Sequence, residues 1–216
     1  MNSGAGLRLA IVISGRGSNM LAIARACASG KIGASVALVI ADRPEAGGIQ
    51  AGRELGLPVA VVAARDYSER AAFERALSAA IDGSGAQLVV LAGFMRILSH
   101  EFAAHYAGRM LNIHPSLLPK YPGLHTHERA LAAGDKLHGC SVHFVTGVLD
   151  GGPLVLQGRV PVLTGDSPAS LSARVQQQEH IIYPEVIGWI ATGRLKLHGD
   201  TAELDGRALR EPLIRD

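Results

Sequence analysis

Short apolar runs alternate with amphipathic segments along the first half of the chain, and this alternation predicts a parallel sheet covered by helices. The apolar runs are nearly continuous in branched residues, which is typical of strands buried on both faces. The segments between them carry charges on one face and Ala, Leu or Phe on the other, as amphipathic helices do. The predicted strands span residues 7–13, 34–40, 58–62 and 87–92, and the predicted helices span residues 19–29, 48–55 and 67–81.

The second half continues this pattern and then changes to strands that follow one another directly. We predict helices at 99–106, 126–133 and 168–190, strands at 109–113, 139–145 and 154–160, a long loop at 114–124, and a hairpin-like tail at 195–208. The repeated strand–helix units favour right-handed crossovers. We therefore expect an α/β protein with a three-layer, Rossmann-like fold and a mostly parallel central sheet flanked by helices. It should form one domain over 1–216, with halves of about 7–108 and 109–216 that share the sheet.

Composition narrows the class of protein. An apolar fraction of 48% with 26 Gly and 10 Pro fits a globular chain, and 4% aromatic residues leaves the core to Ala, Val, Leu and Ile. The formal charge of +2 is spread without a basic run, so no nucleic-acid surface is indicated. Cys27 and Cys140 lack metal-ligand spacing, and no signal or membrane-spanning stretch is evident. These features predict a soluble cytoplasmic protein with reduced thiols.

A glycine-rich turn at residues 15–19 joins the first strand to the first helix, where backbone N–H groups and the helix dipole attract an anion. No Lys-Ser/Thr pair follows, so the turn is not a P-loop. Met20 stands where a dinucleotide fingerprint has its third glycine. The turn therefore predicts a site for a single phosphate, and the alternative is a tight turn that only requires glycine.

Asn112 and His114 lie at the end of the fifth predicted strand, and period-two alternation places them on one side of the backbone. An amide can donate a hydrogen bond to an oxygen, and an imidazole can move a proton near neutral pH. The alternative is a strand end whose polar pair satisfies a loop. Asp150, in an Asp-Gly-Gly turn, is either an ordinary turn residue or a carboxylate beside His114 that favours the charged imidazolium.

Ligands of open α/β sheets bind at the carboxyl ends of the strands. The loop at 93–98 should therefore converge with the glycine turn at 15–19 and with the loop that carries Asn112 and His114. Met95, Ile97 and Leu98 beside Arg96 suit the wall of a flat heterocycle with polar edges, although ordinary packing is the alternative.

The remaining histidines do not have the spacing of a metal site. His125 and His127 lie close together and His138 and His143 follow, but there is no His-Glu-x-x-His helix and no cysteine-based zinc pattern. Helix capping or a surface position is the favoured interpretation. No Gly-x-Ser-x-Gly elbow is present either. We therefore predict neither a metal nor a covalent nucleophile.

Taken together, these motifs resemble the phosphoribosylglycinamide formyltransferase family of folate-dependent purine-biosynthesis enzymes. The resemblance extends over roughly residues 9–204. The matching motifs are ISGRGSN at 13–19, LAGFMRIL at 91–98, LNIHPSLLPKYPG at 111–123, SVHFV at 141–145, LDGG at 149–152 and VQQQEH at 175–180.

The resemblance implies transfer of a formyl group from 10-formyltetrahydrofolate, as co-substrate, to the amine of glycinamide ribonucleotide, without a metal. The first half would then bind the phosphate, and the second half would carry the catalytic residues and bind folate. Asn112, His114 and Asp150 would be catalytic. Ribonucleotide binding would fall to Gly17, Ser18, Asn19 and Glu179, the first three holding the phosphate and Glu179 the ribose hydroxyls. Folate binding would fall to Arg70, Met95, Arg96, Ile97, Leu98, Asn112, Thr146, Gly147, Val148, Leu149 and Asp150.

Three alternatives remain at this point. Methionyl-tRNA formyltransferase shares the Asn-x-His chemistry but usually adds a basic C-terminal RNA-binding domain, whereas this chain ends soon after its long helix. Formyltetrahydrofolate hydrolase resembles the same core preceded by a regulatory domain. A non-catalytic nucleotide-binding protein explains the glycine turn alone. We expect small-molecule substrates, no nucleic-acid or membrane partner, and a monomer or weak homodimer.

Overall fold

The computed structural model describes residues 6–216, which form a central eight-stranded sheet and a small three-stranded sheet. The strands are β1 (Leu7–Ile13), β2 (Ala34–Ala41), β3 (Val59–Val61), β4 (Leu88–Leu91), β5 (Met110–His114), β6 (Leu137–Phe144), β7 (Leu154–Pro161), β8 (Leu195–His198), β9 (Thr201–Leu204), β10 (Arg207–Ala208) and β11 (Leu213–Arg215). The helices are α1 (Ser18–Ala28), α2 (Gly47–Glu54), α3 (Arg70–Gly83), α4 (His100–His105), α5 (Thr126–Ala132) and α6 (Pro168–Ala191). No helix in the described part of the chain combines the length and apolar character that a bilayer span requires.

The large sheet has the strand order β11-β7-β6-β5-β4-β1-β2-β3 and therefore runs through both halves of the chain. Strand β6 lies antiparallel to β5 and β7, and the other neighbours in this sheet pair in parallel. The predicted α/β fold with a mostly parallel central sheet is thus confirmed.

Strand β1 shows why the sheet is buried on both faces. Leu9, Ile11 and Ile13 point into one apolar cluster, which contains buried residues of α1 and α6. Ala10 and Val12 point into a second cluster, which is formed with α3 and α4. Because successive side chains of a strand face opposite ways, a continuous apolar run is what a sheet covered by helices on both sides requires.

Several predicted boundaries differ from the structure. Helix α3 begins at Arg70 rather than at residue 67, because a short 3-10 helix at Ala64–Asp66 is followed by Tyr67 in an extended conformation. The tail at 195–208 forms the three antiparallel strands β8, β9 and β10, a small sheet of its own. Strand β11, which the apolar pattern did not predict, pairs in parallel with β7 at the edge of the large sheet.

The strand order positions the functional site. The chain moves outward from β1 to β2 and β3, and then returns to the other side of β1 with β4 and β5. The crevice outside the carboxyl ends of the strands at such a reversal is where open α/β sheets bind ligands. Here the loops after β1, β4 and β5 all leave from that crevice.

Candidate active site

A cavity of about 770 Å³ opens at the carboxyl ends of β1, β4 and β5. Its volume lies within the range of small-molecule sites. The loop at 15–19 forms one wall, the loop at 93–98 and the segment 145–150 form others, and the end of β5 lies between them. The three segments that we expected to converge therefore line a single cavity.

His114 and Asp150 are in contact at the end of β5. His114 Nδ1 lies 3.4 Å from Asp150 Oδ2, and each side chain is only 7% exposed. His114 Nε2 lies 2.9 Å from the carbonyl oxygen of Tyr121, so Nε2 must carry a hydrogen, because a carbonyl only accepts. Both ring nitrogens of His114 thus face acceptors.

The turn that carries Asp150 is held in a defined conformation. Asp150 has a φ of 51°, in the left-handed region that Asp tolerates better than most residues. A Cβ on Gly152 would clash with the carbonyl oxygen of Phe144, so the second glycine of the turn is required. The backbone N–H of Gly123 donates to Asp150 Oδ2 over 2.8 Å. Asp150 therefore ties the loop after β5 to the segment 146–150.

Asn112 has a partner that the sequence did not suggest. In the antiparallel pairing of β5 with β6, Asn112 lies opposite His143, and Asn112 Nδ2 is 3.2 Å from His143 Nε2. His143 Nδ1 is 2.9 Å from the carbonyl oxygen of Phe144, so Nδ1 carries the hydrogen and the neutral ring accepts at Nε2. Burial lowers the pKa of His143, which keeps the ring neutral. His143 therefore fixes the orientation of the Asn112 amide.

The glycine turn closes onto α1 and α2. Gly17, the N-cap of α1, has a φ of 74°, and its missing Cβ would lie 3.0 Å from the Cα of Gly48. No side chain caps α1, so its first backbone N–H groups are available to an anion. Gln176 Nε2 donates to Ser18 Oγ over 3.0 Å, and Arg16 also lines the cavity.

Glu179 reaches the same end of the cavity from α6. Asn19 Nδ2 donates to Glu179 Oε2 over 2.7 Å, and both side chains are buried. Burial raises the pKa of the Glu179 carboxyl, and the hydrogen bond from Asn19 acts in the opposite direction. A carboxylate and a glycine turn thus lie side by side, although 160 positions separate Asn19 from Glu179 in the sequence.

Apolar side chains border the mouth of the cavity. Met95, Ile97, Val148 and Leu149 are exposed, and they belong to two segments that both line the cavity. Large exposed apolar groups that surround a cleft are characteristic of ligand sites. This arrangement fits the predicted wall for a flat heterocycle.

Arg70 is the predicted site residue that the structure does not bring to the cavity. It lies at the start of α3 with a side chain that is 62% exposed, and its Nε is 3.9 Å from Glu74 Oε1. Glu74 in turn accepts hydrogen bonds from the backbone N–H and the hydroxyl of Ser99, directly after the cavity-lining Leu98. Arg70 therefore lies outside the cavity lining, near its rim.

The other histidines in the cavity lining lie on or next to α5. His125 is the N-cap residue of α5, and His127 Nδ1 lies 3.1 Å from His138 Nε2. Burial, followed by the charge of His127, lowers the pKa of His138 to about 4. Over residues 6–216, no group of three or more His, Cys, Asp or Glu side chains is arranged to hold a metal ion.

The chain is similar to formyl transferases in both sequence and structure. The family model described as formyl transferase matches residues 7–187. The chain is 53% identical to phosphoribosylglycinamide formyltransferase of Escherichia coli K12 over 203 residues, which cover 94% of this chain and 96% of that relative. The solved structure of phosphoribosylglycinamide formyltransferase from Coxiella burnetii superposes with a TM-score of 0.92 at 45% identity, over 96% of this chain and 99% of that one.

A solved formyltetrahydrofolate deformylase from Burkholderia mallei shares the fold, with a TM-score of 0.84 at 28% identity. It covers 93% of this chain but only 70% of its own, so the deformylase has further chain outside the shared region. The sequence identity to the two transferases is higher than that to the deformylase, and the matched region covers nearly the full length of each transferase. The chain therefore belongs to the formyl transferase family, among the phosphoribosylglycinamide formyltransferases.

Proposed function

We propose that the chain transfers a formyl group from 10-formyltetrahydrofolate to the amine of glycinamide ribonucleotide in purine biosynthesis. The observation that carries this proposal is the convergence of Asn112, His114 and Asp150 with the glycine turn at 15–19 in one cavity. Family membership along almost the whole chain supports the same reaction.

The ribonucleotide is assigned to the cavity end near α1. Gly17, Ser18 and Asn19 would hold its phosphate, because the uncapped N-terminus of α1 offers N–H groups and a favourable dipole. Glu179 would accept hydrogen bonds from the ribose hydroxyls, since it is buried beside Asn19 and lines the cavity. On this proposal, residues 7–108 bind the phosphate, and residues 109–216 contribute the catalytic side chains.

The folate is assigned to the opposite side, between the segments 95–98 and 146–150. The segment 95–98 (Met95, Arg96, Ile97, Leu98) would line one side of the folate site, and the segment 146–150 (Thr146, Gly147, Val148, Leu149, Asp150) would line the other, with Asn112 at the reacting end. The exposed apolar side chains of these segments fit a flat ring system. A role of Arg70 in folate binding stays a prediction, with its side chain free to reach a ligand at the rim.

The side chains suit direct transfer through a tetrahedral intermediate. Attack of the neutral amine on the formyl carbon places negative charge on the formyl oxygen. Asn112 uses one of its two N–H groups on His143, so the other can donate to that oxygen. The positive charge of a protonated His114 would stabilise the same oxygen electrostatically, and the loss of one oxyanion donor such as Asn112 typically costs ~3 kcal/mol. Asp150 keeps His114 charged.

Asp150 and His114 would also move the protons that the reaction transfers. The amine loses a proton as the new C–N bond forms, and the folate nitrogen gains one as its bond to the formyl carbon breaks. Asp150, directly or through water, would accept the first proton, and His114 would return one to the departing nitrogen. No net proton is consumed, and no covalent enzyme intermediate is required.

Hydrolysis of the formyl-folate is the second candidate function, because the structurally similar Burkholderia mallei protein is a deformylase. The test is a steady-state assay with purified protein and both substrates. We expect formyl-folate to turn over only when glycinamide ribonucleotide is present, and the formylated ribonucleotide to accumulate in equal amount. Equal turnover without the ribonucleotide would establish the hydrolase function instead.

Other features stay predictions. These are a cytoplasmic location, an independence from nucleic acid and membranes, and a monomer or weak homodimer. Failure to formylate methionyl-tRNA under conditions that formylate the ribonucleotide would support small-molecule specificity.

A further inference from the structure

Asp42 is a buried carboxylate without a role in the proposed chemistry. It directly follows β2, and its side chain is only 1% exposed. Its backbone N–H donates to the carbonyl oxygen of Ile13, and its own carbonyl accepts from Ala64. Burial of a charged carboxylate is very unfavourable unless a partner compensates for the lost hydration. Neighbouring groups must therefore stabilise the buried Asp42 carboxylate.

One side chain supplies most of that compensation. Arg96 Nε donates to Asp42 Oδ2 over 2.6 Å. The other oxygen, Oδ1, is buried and has no hydrogen-bond partner within residues 6–216, and the Arg43 Nε atom is 4.0 Å from it. The bond between Asp42 and Arg96 thus joins the end of β2 to the proposed folate wall.

Arg96 is held in this way from two directions. Its guanidinium lies over the ring of Phe73, 5.6 Å from the ring centroid, while Nε is occupied by Asp42. In the described range, no hydrogen bond joins either terminal nitrogen of Arg96 to another residue. The side chain is 40% exposed, and Arg96 lines the cavity. A fixed, planar fork with two free nitrogens matches the geometry of a carboxylate.

We infer that Asp42 is a positioning residue that orients Arg96 to bind a carboxylate on the glutamate portion of the formyl-folate. The inference rests on the proposed function, which places the folate against the segment 95–98. The flat pteridine belongs in the interior of the cavity, so the charged glutamate end belongs at the mouth. Arg96 lies at that mouth, between the exposed side chains of Met95 and Ile97. Asp42 acts through Arg96 and does not itself touch the substrate.

The test compares two formyl donors, 10-formyltetrahydrofolate and 10-formyltetrahydropteroate, which lacks the glutamate. For Asp42→Ala we expect the KM of the first donor to rise about tenfold, with kcat and the KM of the ribonucleotide within about twofold of wild type. For the second donor, Asp42→Ala and wild type should have the same KM. Asp42→Asn retains an acceptor for Arg96 Nε, so its increase in KM should be smaller.

A double-mutant cycle separates positioning from a general structural effect. In an Arg96→Met background, Asp42→Ala should not raise the KM of the folate further, because the side chain it positions is already absent. Asp205→Asn is the matched control, since Asp205 pairs with Arg194 over 2.7 Å in the small sheet, outside the cavity lining. Asp205→Asn should keep the kcat and KM values of the wild type.

Three outcomes would overturn the inference: an unchanged KM for the folate, an equal rise in KM with the glutamate-free donor, or additive effects in the cycle. If Asp42→Ala does not fold, the same cycle is run with Asp42→Asn. Wild-type protein that does not formylate the ribonucleotide would overturn the proposed function itself, before any variant is compared.

Discussion

At the scale of single residues, close contacts orient the side chains at the end of β5. The Tyr121 carbonyl and Asp150 face the two nitrogens of His114. The Phe144 carbonyl and Asn112 face the two nitrogens of His143, which suits the neutral ring. Two histidines on neighbouring strands thus have different surroundings: His114 contacts the carboxylate of Asp150, and His143 orients the amide of Asn112.

The first prediction concerns the pair of His114 and Asp150. His114→Ala and Asp150→Asn should each lower kcat by a factor on the order of a hundred or more. The dissociation constant of the ribonucleotide should change only about twofold, because the phosphate site that we propose is formed by other residues, at 17–19. Steady-state kinetics gives the first quantity, and calorimetric titration with the ribonucleotide gives the second.

A matched control exists on α4, where His105 Nε2 lies 3.2 Å from Asp82 in an exposed pair outside the cavity lining. His105→Ala removes a histidine from an aspartate pair without touching the site and should keep wild-type kcat. If His114→Ala and Asp150→Asn weakened ribonucleotide binding as strongly as turnover, their catalytic assignment would be wrong.

Sequence pattern alone located part of this site. Period-two alternation placed Asn112 and His114 on one side of a strand, and both line the cavity. The contact of Asp150 with His114 did not follow from alternation, since an Asp-Gly turn is common, and its selection depended on the family resemblance. His143 was missed because its contact with Asn112 depends on the antiparallel register of β5 and β6. That register is a tertiary property, although the matching alternation of Ser141 and His143 offered a signal.

At the scale of elements, α1 and α6 together line the end of the cavity that we assign to the ribonucleotide. Two hydrogen bonds join these helices, one from Asn19 to Glu179 and one from Gln176 to Ser18. Helix α6 extends over 24 residues and packs against the same apolar cluster as β1, so its position is fixed by the core. The glycine turn and the Glu179 carboxyl group therefore lie side by side, although they come from distant parts of the chain.

The second prediction concerns Glu179. Glu179→Gln keeps the size of the side chain but replaces a charged acceptor by a neutral amide, so the KM of the ribonucleotide should rise about tenfold. The kcat at saturating substrate should stay within about threefold of wild type, since Glu179 does not face the reacting atoms. Steady-state kinetics with the ribonucleotide varied provides the measurement.

Helix α6 supplies the control for this variant. Glu185 lies on the same helix, six positions further along, and pairs with Arg215 over 3.1 Å outside the cavity lining. Glu185→Gln should leave the KM of the ribonucleotide unchanged. A Glu179→Gln variant with wild-type KM, or with kcat reduced and KM intact, would contradict the ribose assignment.

The elements themselves were predicted best where the apolar pattern was strong. Strands β1 and β2 and helix α6 agree with their predicted ranges to within one residue, because the apolar residues of each follow a regular pattern over its whole length. Strand β11 was missed because all three of its residues are exposed and carry no periodic signal. The start of α3 was placed too early because Tyr67 is apolar and packs against Phe73 while lying before the helix.

At the scale of the whole molecule, four histidines between residues 127 and 180 are buried or partly buried. Burial lowers the pKa of His138 to about 4, and it also lowers the pKa values of His127, His143 and His180. Each of these rings is neutral in the folded protein at pH values where the unfolded chain would hold a proton. The fold therefore depends on pH through groups that are outside the proposed proton-transfer steps.

The third prediction follows from the sign of these shifts. A histidine whose pKa is lower in the folded state binds its proton more weakly there, so the unfolded state binds more protons as the pH falls below the ordinary value of 6.5. The contribution of His138 to stability is then complete above 6.5 and is lost progressively as the pH falls toward about 4. Glu179 acts in the opposite direction, because burial raises its pKa.

Denaturant unfolding at several pH values across this window measures the effect. The free energy of unfolding should decrease steadily from the upper to the lower end of the window. His138→Asn should reduce the slope without abolishing it, because His143 and His180 remain buried. His198, exposed on β8, provides the matched control, and His198→Asn should keep the full slope. Stability that is flat or that rises on acidification in the wild type would show that these rings do not titrate as their burial requires. An unchanged slope in His138→Asn would show that the other histidines with lowered pKa values cause the pH dependence of stability.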